Sequence, residues 1–165
     1  MKRDLLLLRH AKSDWDAGAG SDHDRPLAPR GVAAAQRIGE WLAASGSSPD
    51  LVVASTAVRA TETARLVLRA GRWDPPLRVE RAFYVADVES MLEQVRLLDD
   101  ACGCVLLVGH EPTWSRLASA LIGGGAVRMP TAAVAGVQLE LDSWRGVEAG
   151  SGTLRFLVTP RLLAG

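Results

Sequence analysis

No charge excess of either sign is present in this sequence: 19 lysines and arginines are matched by 19 aspartates and glutamates across 165 residues. That balance excludes the strong basic field of a nucleic-acid binder or of a protein held at an anionic membrane surface. Long apolar runs are missing too, and nothing approaches the roughly 20 residues that a bilayer-crossing helix needs. The run Leu5 to Leu8 stops at Arg9, too short for the core of a secretory signal, and no small-residue cleavage site follows. Cysteine is scarce. Cys102 and Cys104 stand in a C-x-C spacing that suits neither a redox pair nor half of a zinc site, and alternate strand positions face opposite ways. Two reduced thiols in a cytoplasmic protein are the expectation. Internal repeats and interdomain linkers are also lacking, which predicts one domain over residues 1–165. With 48% hydrophobic residues it has material for a sizeable core.

What is present alternates between apolar runs and helix-period segments. Leu5–Leu8 reads as a buried strand, followed by a polar, glycine-rich loop from Asp14 to Arg25. Ala34, Ile38, Trp41 and Leu42 recur at helical spacing, with Gly46 as a stop. Leu51–Ala54 is a second strand. Ser55 or Thr56 is placed to cap a helix whose stripe is Ala57, Ala60, Ala64, Val67 and Leu68, closed by Gly71. A short strand near Leu77–Val79 precedes a helix from about Val88 to Leu98. Cys104–Val108 is a third strongly apolar strand, and Pro112 opens a helix running to Leu121 that Gly123-Gly124-Gly125 ends. Val134–Leu141 and Leu154–Val158 follow with no helix between them and should pair as a hairpin. The pattern predicts an α/β fold with a mostly parallel sheet and an antiparallel margin.

The three most apolar strands share an unusual ending. Leu5–Leu8 runs into Arg9-His10, Leu51–Ala54 into Ser55-Thr56-Ala57-Val58-Arg59, and Val105–Val108 into Gly109-His110. In an open parallel sheet the carboxyl ends of the strands lie along one edge, and ligands bind in the crevice there. Any one of these residues alone would be an ordinary surface charge or a hydrogen-bonded boundary histidine. Together, two guanidiniums and two imidazoles at one edge call for an anion. A phosphoryl group fits, because arginines grip its oxygens through paired donors and a neutral imidazole can attack phosphorus. The pattern alone leaves open whether His10 or His110 attacks.

Leu8-Arg9-His10-Ala11-Lys12-Ser13-Asp14-Trp15 resembles the RHG-type signature of the histidine phosphatase superfamily, nearest to its small SixA-like phosphohistidine phosphatases. Three further segments resemble that family's motifs in the right order. They are Asp24-Arg25-Pro26-Leu27 with Gly31, Ser55-Thr56-Ala57-Val58-Arg59-Ala60-Thr61-Glu62-Thr63, and Val108-Gly109-His110-Glu111-Pro112. The resemblance implies a phosphoglycerate-mutase-like three-layer α/β sandwich and a metal-independent phosphatase without cofactor. It implies His10 as the phosphorylated nucleophile in a phosphate pocket of Arg9, Arg59 and His110, with Arg25 at the rim unless it pairs with Asp22 or Asp24. The implied substrate is phosphohistidine on a partner such as a histidine-phosphotransfer domain. The alternative is a small-molecule phosphate ester, a sugar phosphate or nucleotide.

Several positions depart from the family pattern. Ala11 replaces a glycine, Lys12 stands where mutases carry an acid, and Asp16 stands in place of an asparagine that touches phosphate. Ala82 falls where larger members keep a proton-donating glutamate, leaving Glu80 and Asp87 as candidate acids off register. Two other function classes fit the residues less well. A metal site of His10, His110 and His23 would suffer from two arginines repelling the ion. A non-catalytic phosphopeptide module would not need an imidazole at the reacting face. Trp15 and Trp114 are the candidate rim aromatics, with core packing expected for Trp41, Trp73 and Trp144.

Overall fold

Each apolar run becomes a strand because every position along it is buried on one side or the other. In the computed structural model, which describes residues 1–164, the strands are β1 (Lys2–Arg9), β2 (Leu51–Ser55), β3 (Leu77–Glu80), β4 (Cys104–Gly109), β5 (Val134–Glu140) and β6 (Gly152–Val158). The helices are α1 (Pro29–Ala44), α2 (Val58–Gly71), α3 (Val88–Arg96), α4 (Thr113–Leu121) and α5 (Pro160–Leu163). The sheet order is β3-β2-β4-β1-β5-β6. The first four strands in that order run parallel, and β5 and β6 add an antiparallel margin. This is the mixed α/β sandwich with the C-terminal hairpin that the sequence predicts.

Alternation along the strands builds two cores. Leu5, Leu7, Val53, Val105 and Leu107 face α3 and α4, meeting Met91, Val95, Trp114 and Leu117. Leu6, Leu8, Val52, Ala54, Leu106 and Val108 face α1 and α2, meeting Ile38, Leu42, Ala60, Ala64 and Val67. Burial on both faces explains why the runs are continuous rather than alternating with polar residues. Truncating any of these leucines to alanine costs about 2–5 kcal/mol. The chain leaves β1 through α1 towards β2, and leaves β4 through α4 towards β5 on the other side. Since β1 and β4 are neighbours, the crevice at their carboxyl ends is a topological switch point, the place where such sheets bind ligands.

Glycine is required at two close approaches near that crevice. A Cβ at Gly31 would meet the Lys12 carbonyl oxygen at 2.1 Å, so only glycine lets α1 start against the backbone that follows His10. A Cβ at Gly109 would lie 2.2 Å from the Trp114 ring. Trp114 is itself fully buried, which corrects its expected place at the rim.

Other boundaries differ from expectation for identifiable reasons. Neither Ser55 nor Thr56 caps α2. The N-cap is Ala57, without a side-chain cap; the Thr56 hydroxyl pairs with His23, and that of Ser55 pairs with His110 while accepting from Ala57 N. At the far end Arg72, not Gly71, takes the left-handed conformation with φ 60°. Gly71 is small because the Trp73 ring lies against it. Helix α3 stops at Arg96. The β5–β6 connection contains one 3-10 turn, Trp144–Gly146, and the four-residue α5 had no sequence signal strong enough to predict it. No helix among the described residues is long and apolar enough to cross a membrane, and both cysteines are free thiols.

Candidate active site

His10 and His110 follow the last residues of the neighbouring strands β1 and β4, so the sheet brings them side by side. Their ring centroids are 5.2 Å apart. His10 is held through its backbone from both directions: its N–H donates to Gly109 O at 2.9 Å, and its carbonyl accepts from Ala132 N at 3.1 Å. Its Nδ1 lies 2.7 Å from the carbonyl oxygen of Ala11. A carbonyl only accepts, so Nδ1 carries the hydrogen and Nε2 keeps its lone pair. Arg59, in the first turn of α2, points its Nε at that Nε2 from 3.4 Å. Thr63, one turn further on, couples the two elements: its hydroxyl donates to Arg59 O at 2.7 Å and accepts from Ala11 N at 3.0 Å. Within the motif Ser55 to Thr63, sequence alone gives Thr63 no role. The spacing of four residues from Arg59 is the signal that it lies on the same helix face.

Both imidazoles are neutral near pH 7. Burial drives the His10 pKa down to about 4, helped by the cations of Arg59, Arg9 and Arg25 and opposed by the Ala11 carbonyl. Burial, His10 and Arg59 lower that of His110 to about 3, with Asp22 pulling the other way. His110 Nε2 pairs with the buried Ser55 hydroxyl at 2.8 Å. A protonated second imidazole is therefore disfavoured. Of the three arginines whose charge reaches the His10 ring, Arg59 is the one that bonds to it. Arg9 donates to Met129 O at 3.1 Å, while its Nε is buried without a protein partner, as is the Nε of Arg25.

The arginines already hold one carboxylate. Arg59 donates through Nη1 to the Asp22 carbonyl at 2.7 Å and through Nη2 to the Asp22 side chain at 3.0 Å. Arg25 donates to the other carboxylate oxygen, and the Tyr84 hydroxyl to the first at 2.8 Å. These partners, Arg25 foremost, hold the Asp22 carboxyl far below the usual carboxylate range. Arg25 also donates to the Ser13 hydroxyl and lies 3.6 Å over the Trp15 ring. Arg25 is thus the ion-pair partner of Asp22, the structural one of its two expected roles. Trp15 is 71% exposed, at the rim as expected. The 14–25 loop is closed at its neck by a bridge between Ser13 and Leu27, with Asp14 N donating to Pro26 O and Ala28 N to Lys12 O. Asp22 was seen from sequence only as a possible partner of Arg25, since nothing local marks which arginines a loop carboxylate will meet.

The remaining candidates stand apart. Asp87 is the N-cap of α3 in a reciprocal capping box with Ser90, which holds its carboxyl below the ordinary range. Glu80 pairs with Arg78 at 3.0 Å. Neither bonds to a pocket residue, and Ala82 is exposed on the 3-10 turn Arg81–Phe83. Asp16 is likewise exposed and makes no bond to the pocket. His23 turns to Thr56 at 2.9 Å and packs edge-on against Tyr84. Among the described residues no three His, Cys, Asp or Glu side chains converge as metal ligands.

A neutral imidazole beside the Arg59 guanidinium, at a sheet switch point, is an arrangement suited to phosphoryl chemistry on an α/β fold. Comparisons with known proteins give its family. The model of the histidine phosphatase superfamily, branch 1, matches residues 5–84. An uncharacterized protein of Mycobacterium tuberculosis is 38% identical over 164 residues, covering 93% of this chain and all of that one. A chain assigned as the phosphohistidine phosphatase SixA of Nakamurella multipartitia superposes with a TM-score of 0.85 at 27% identity, over 97% of each chain. One assigned as the alpha-ribazole-5'-P phosphatase of Escherichia coli shares the fold at 22% identity, with a TM-score of 0.73 over 96% of this chain and 98% of that one. The chain belongs to the histidine phosphatase superfamily, and within it is SixA-like.

Proposed function

We propose that the protein hydrolyses phosphohistidine on a partner protein through a phosphoryl group carried on His10. The observation that carries the reading is the His10 ring, neutral and with the Nε2 lone pair turned towards the arginine cluster. The Nε2 lone pair attacks phosphorus as the bond to the substrate nitrogen breaks, and the substrate ring, protonated from solvent on its other nitrogen, leaves with the bonding pair as neutral imidazole. Arg9, Arg59 and Arg25 balance the charge on the phosphoryl oxygens, a task that metal ions perform in many phosphotransfer enzymes. His110, held through its Nε2 by the Ser55 hydroxyl, stands beside His10 to contact a further phosphoryl oxygen. Water then takes the phosphoryl group from His10, and Nε2 recovers its lone pair.

The choice of substrate rests on the acid that an ester needs. Expelling an alkoxide calls for general acid help worth about 10²–10⁴-fold, or roughly 3–5 kcal/mol of barrier. Asp22 and Asp87 are held ionised, and Glu80 is engaged by Arg78. A phosphoryl imidazole needs that help least. Similarity to a chain assigned as a phosphohistidine phosphatase points the same way, and only Tyr84 to Asp87 lies between the 3-10 turn and α3, too little chain for a lid over a small substrate. The test is phosphate release from phosphorylated histidine-phosphotransfer domains, beside p-nitrophenyl phosphate and a sugar phosphate. The phosphoprotein and the aryl ester should be turned over at least about 10²-fold faster than the sugar phosphate. A sugar phosphate as best substrate would replace this reading with the small-molecule one.

A further inference from the structure

Beside the catalytic pocket runs a second groove whose charge is of one sign. Lys12, Arg30, Arg37 and Arg161 line it together with Pro130 and Thr131. None of its lining residues is acidic, and none of the four cations forms an ion pair among the described residues. In a chain with no net charge, four unneutralised cations along one groove are a local concentration that composition does not produce by itself. The groove adjoins the site through the backbone. Lys12 lies two residues beyond His10, Arg9 donates to the carbonyl of Met129 just ahead of Pro130, and Ala132 N donates to the His10 carbonyl.

We infer that this groove docks an acidic surface of the phosphorylated protein whose phosphohistidine enters the His10 pocket. The inference rests on the phosphoprotein reading given above and adds where the partner is gripped and by what chemistry. Arg30 and Arg37 stand on α1, Arg161 on α5 and Lys12 on the loop after β1, so the charges are spread along the groove rather than gathered on one anion. Such an arrangement suits a row of carboxylates on a macromolecule. A cleft lined by one sign of charge focuses its field outwards and speeds encounter with an oppositely charged surface, an effect that added salt screens. The groove lies outside the reacting atoms, so it acts on capture rather than on the chemical step.

The test uses two synthetic peptides carrying the same phosphohistidine, one flanked by glutamates and the other by glutamines, with N-phosphoimidazole as reference. At low ionic strength the wild type should favour the acidic peptide by about tenfold in kcat/KM relative to the reference, through encounter rate and KM rather than kcat. The double substitution Arg37→Glu with Arg161→Glu should abolish or invert that preference, and so should raising salt to about 0.5 M on the wild type, where screening acts within a few ångströms. The salt arm needs no variant, so the inference stays open to refutation even if the double variant does not fold. Equal turnover of the two peptides by the wild type, or a preference that survives both charge reversal and salt, overturns the docking surface while leaving the phosphohistidine reading standing. If neither peptide is cleaved faster than a sugar phosphate, both readings fall together. Inhibition by tripolyphosphate that the double variant loses, without any preference between peptides, would give the groove to a small polyanion and also overturn the inference.

Discussion

Strand β1 carries an arginine near each end, and the two are satisfied in opposite ways. Arg3 is 1% exposed. Its guanidinium donates to the carbonyls of Asp100, Cys102 and Asp142, lies 3.3 Å from the Asp100 carboxylate and rests against the Trp144 ring. The three carbonyls belong to the framework and cannot leave without unfolding it, whatever the half-exposed Asp100 carboxylate does. At the other end Arg9 makes a single bond to Met129 O, and neighbouring Arg59 is held mainly by Asp22, whose side chain is half exposed on a loop. Charge and burial alone do not separate a structural arginine from a binding one. What separates them is whether the partner can be exchanged.

That contrast can be broken by experiment, and the largest effect belongs to the pocket end. His10→Ala should reduce kcat by about 10⁴-fold or more, as loss of a nucleophile does, while the melting temperature stays close to wild type. A rapid quench with labelled phosphohistidine should find an acid-labile, base-stable phosphoenzyme in the wild type only. Label on His110 would reverse the assignment. Next, Arg59→Lys should cost about 10²–10³-fold in kcat/KM, since a point charge cannot replace a planar fork. A drop below tenfold would mean that the guanidinium is structural, as Arg3 is.

At the other end of β1 the signature should invert. Arg3→Met leaves buried carbonyls without donors and should lower unfolding stability by about 2–4 kcal/mol, with kcat within a factor of two of wild type. Urea unfolding beside a turnover assay reads both, and lost turnover in a stably folded variant would end the distinction.

Acidity probes the pocket without mutation. Because the His10 pKa in the folded protein, about 4, lies below its ordinary 6.5, kcat/KM should hold down to about pH 5 and fall beneath it. An acid limb centred near 6.5 would show instead that the ring is not desolvated. The same depression has a stability consequence. Between 6.5 and about 4 the unfolded chain binds a proton that the folded one does not. The contribution is therefore complete above 6.5 and is lost as pH falls through that interval. The smallest expected change is at the exchangeable partner itself. Asp22→Asn removes the negative charge competing for Arg59 and Arg25, and should tighten inhibition by inorganic phosphate about three- to tenfold. Weaker inhibition would mean that Asp22 positions the arginines rather than competing for them.

The legible parts of this molecule were those written in short-range pattern. Leu5–Leu8 and Val105–Val108 announce strands because both faces of a covered sheet are apolar, and Arg9-His10 and Gly109-His110 are legible because strand ends meet at one edge. Residues whose partners lie far along the chain were not. Arg3 finds carbonyls about a hundred residues away, and Trp114 enters the core because Gly109 leaves it room. Ser55 and Thr56 look like helix caps by position, yet tertiary contacts claim their hydroxyls for His110 and His23. Asp87 shows the converse, a candidate acid that a local capping box accounts for entirely.

The closed neck at Ser13 and Leu27 makes the 14–25 loop a cassette. Its ends are pinned by backbone bonds, and Leu27 N is further tied to the Glu62 carboxylate on α2. The segment between can be lengthened, shortened or exchanged without disturbing the strand that presents His10. Yet that segment carries Trp15, Asp22 and Arg25, which set the rim and the counter-charge of the pocket. Inheritance can therefore revise what the pocket admits while leaving the His10 imidazole untouched, and a designer can graft a relative's loop at the same two residues.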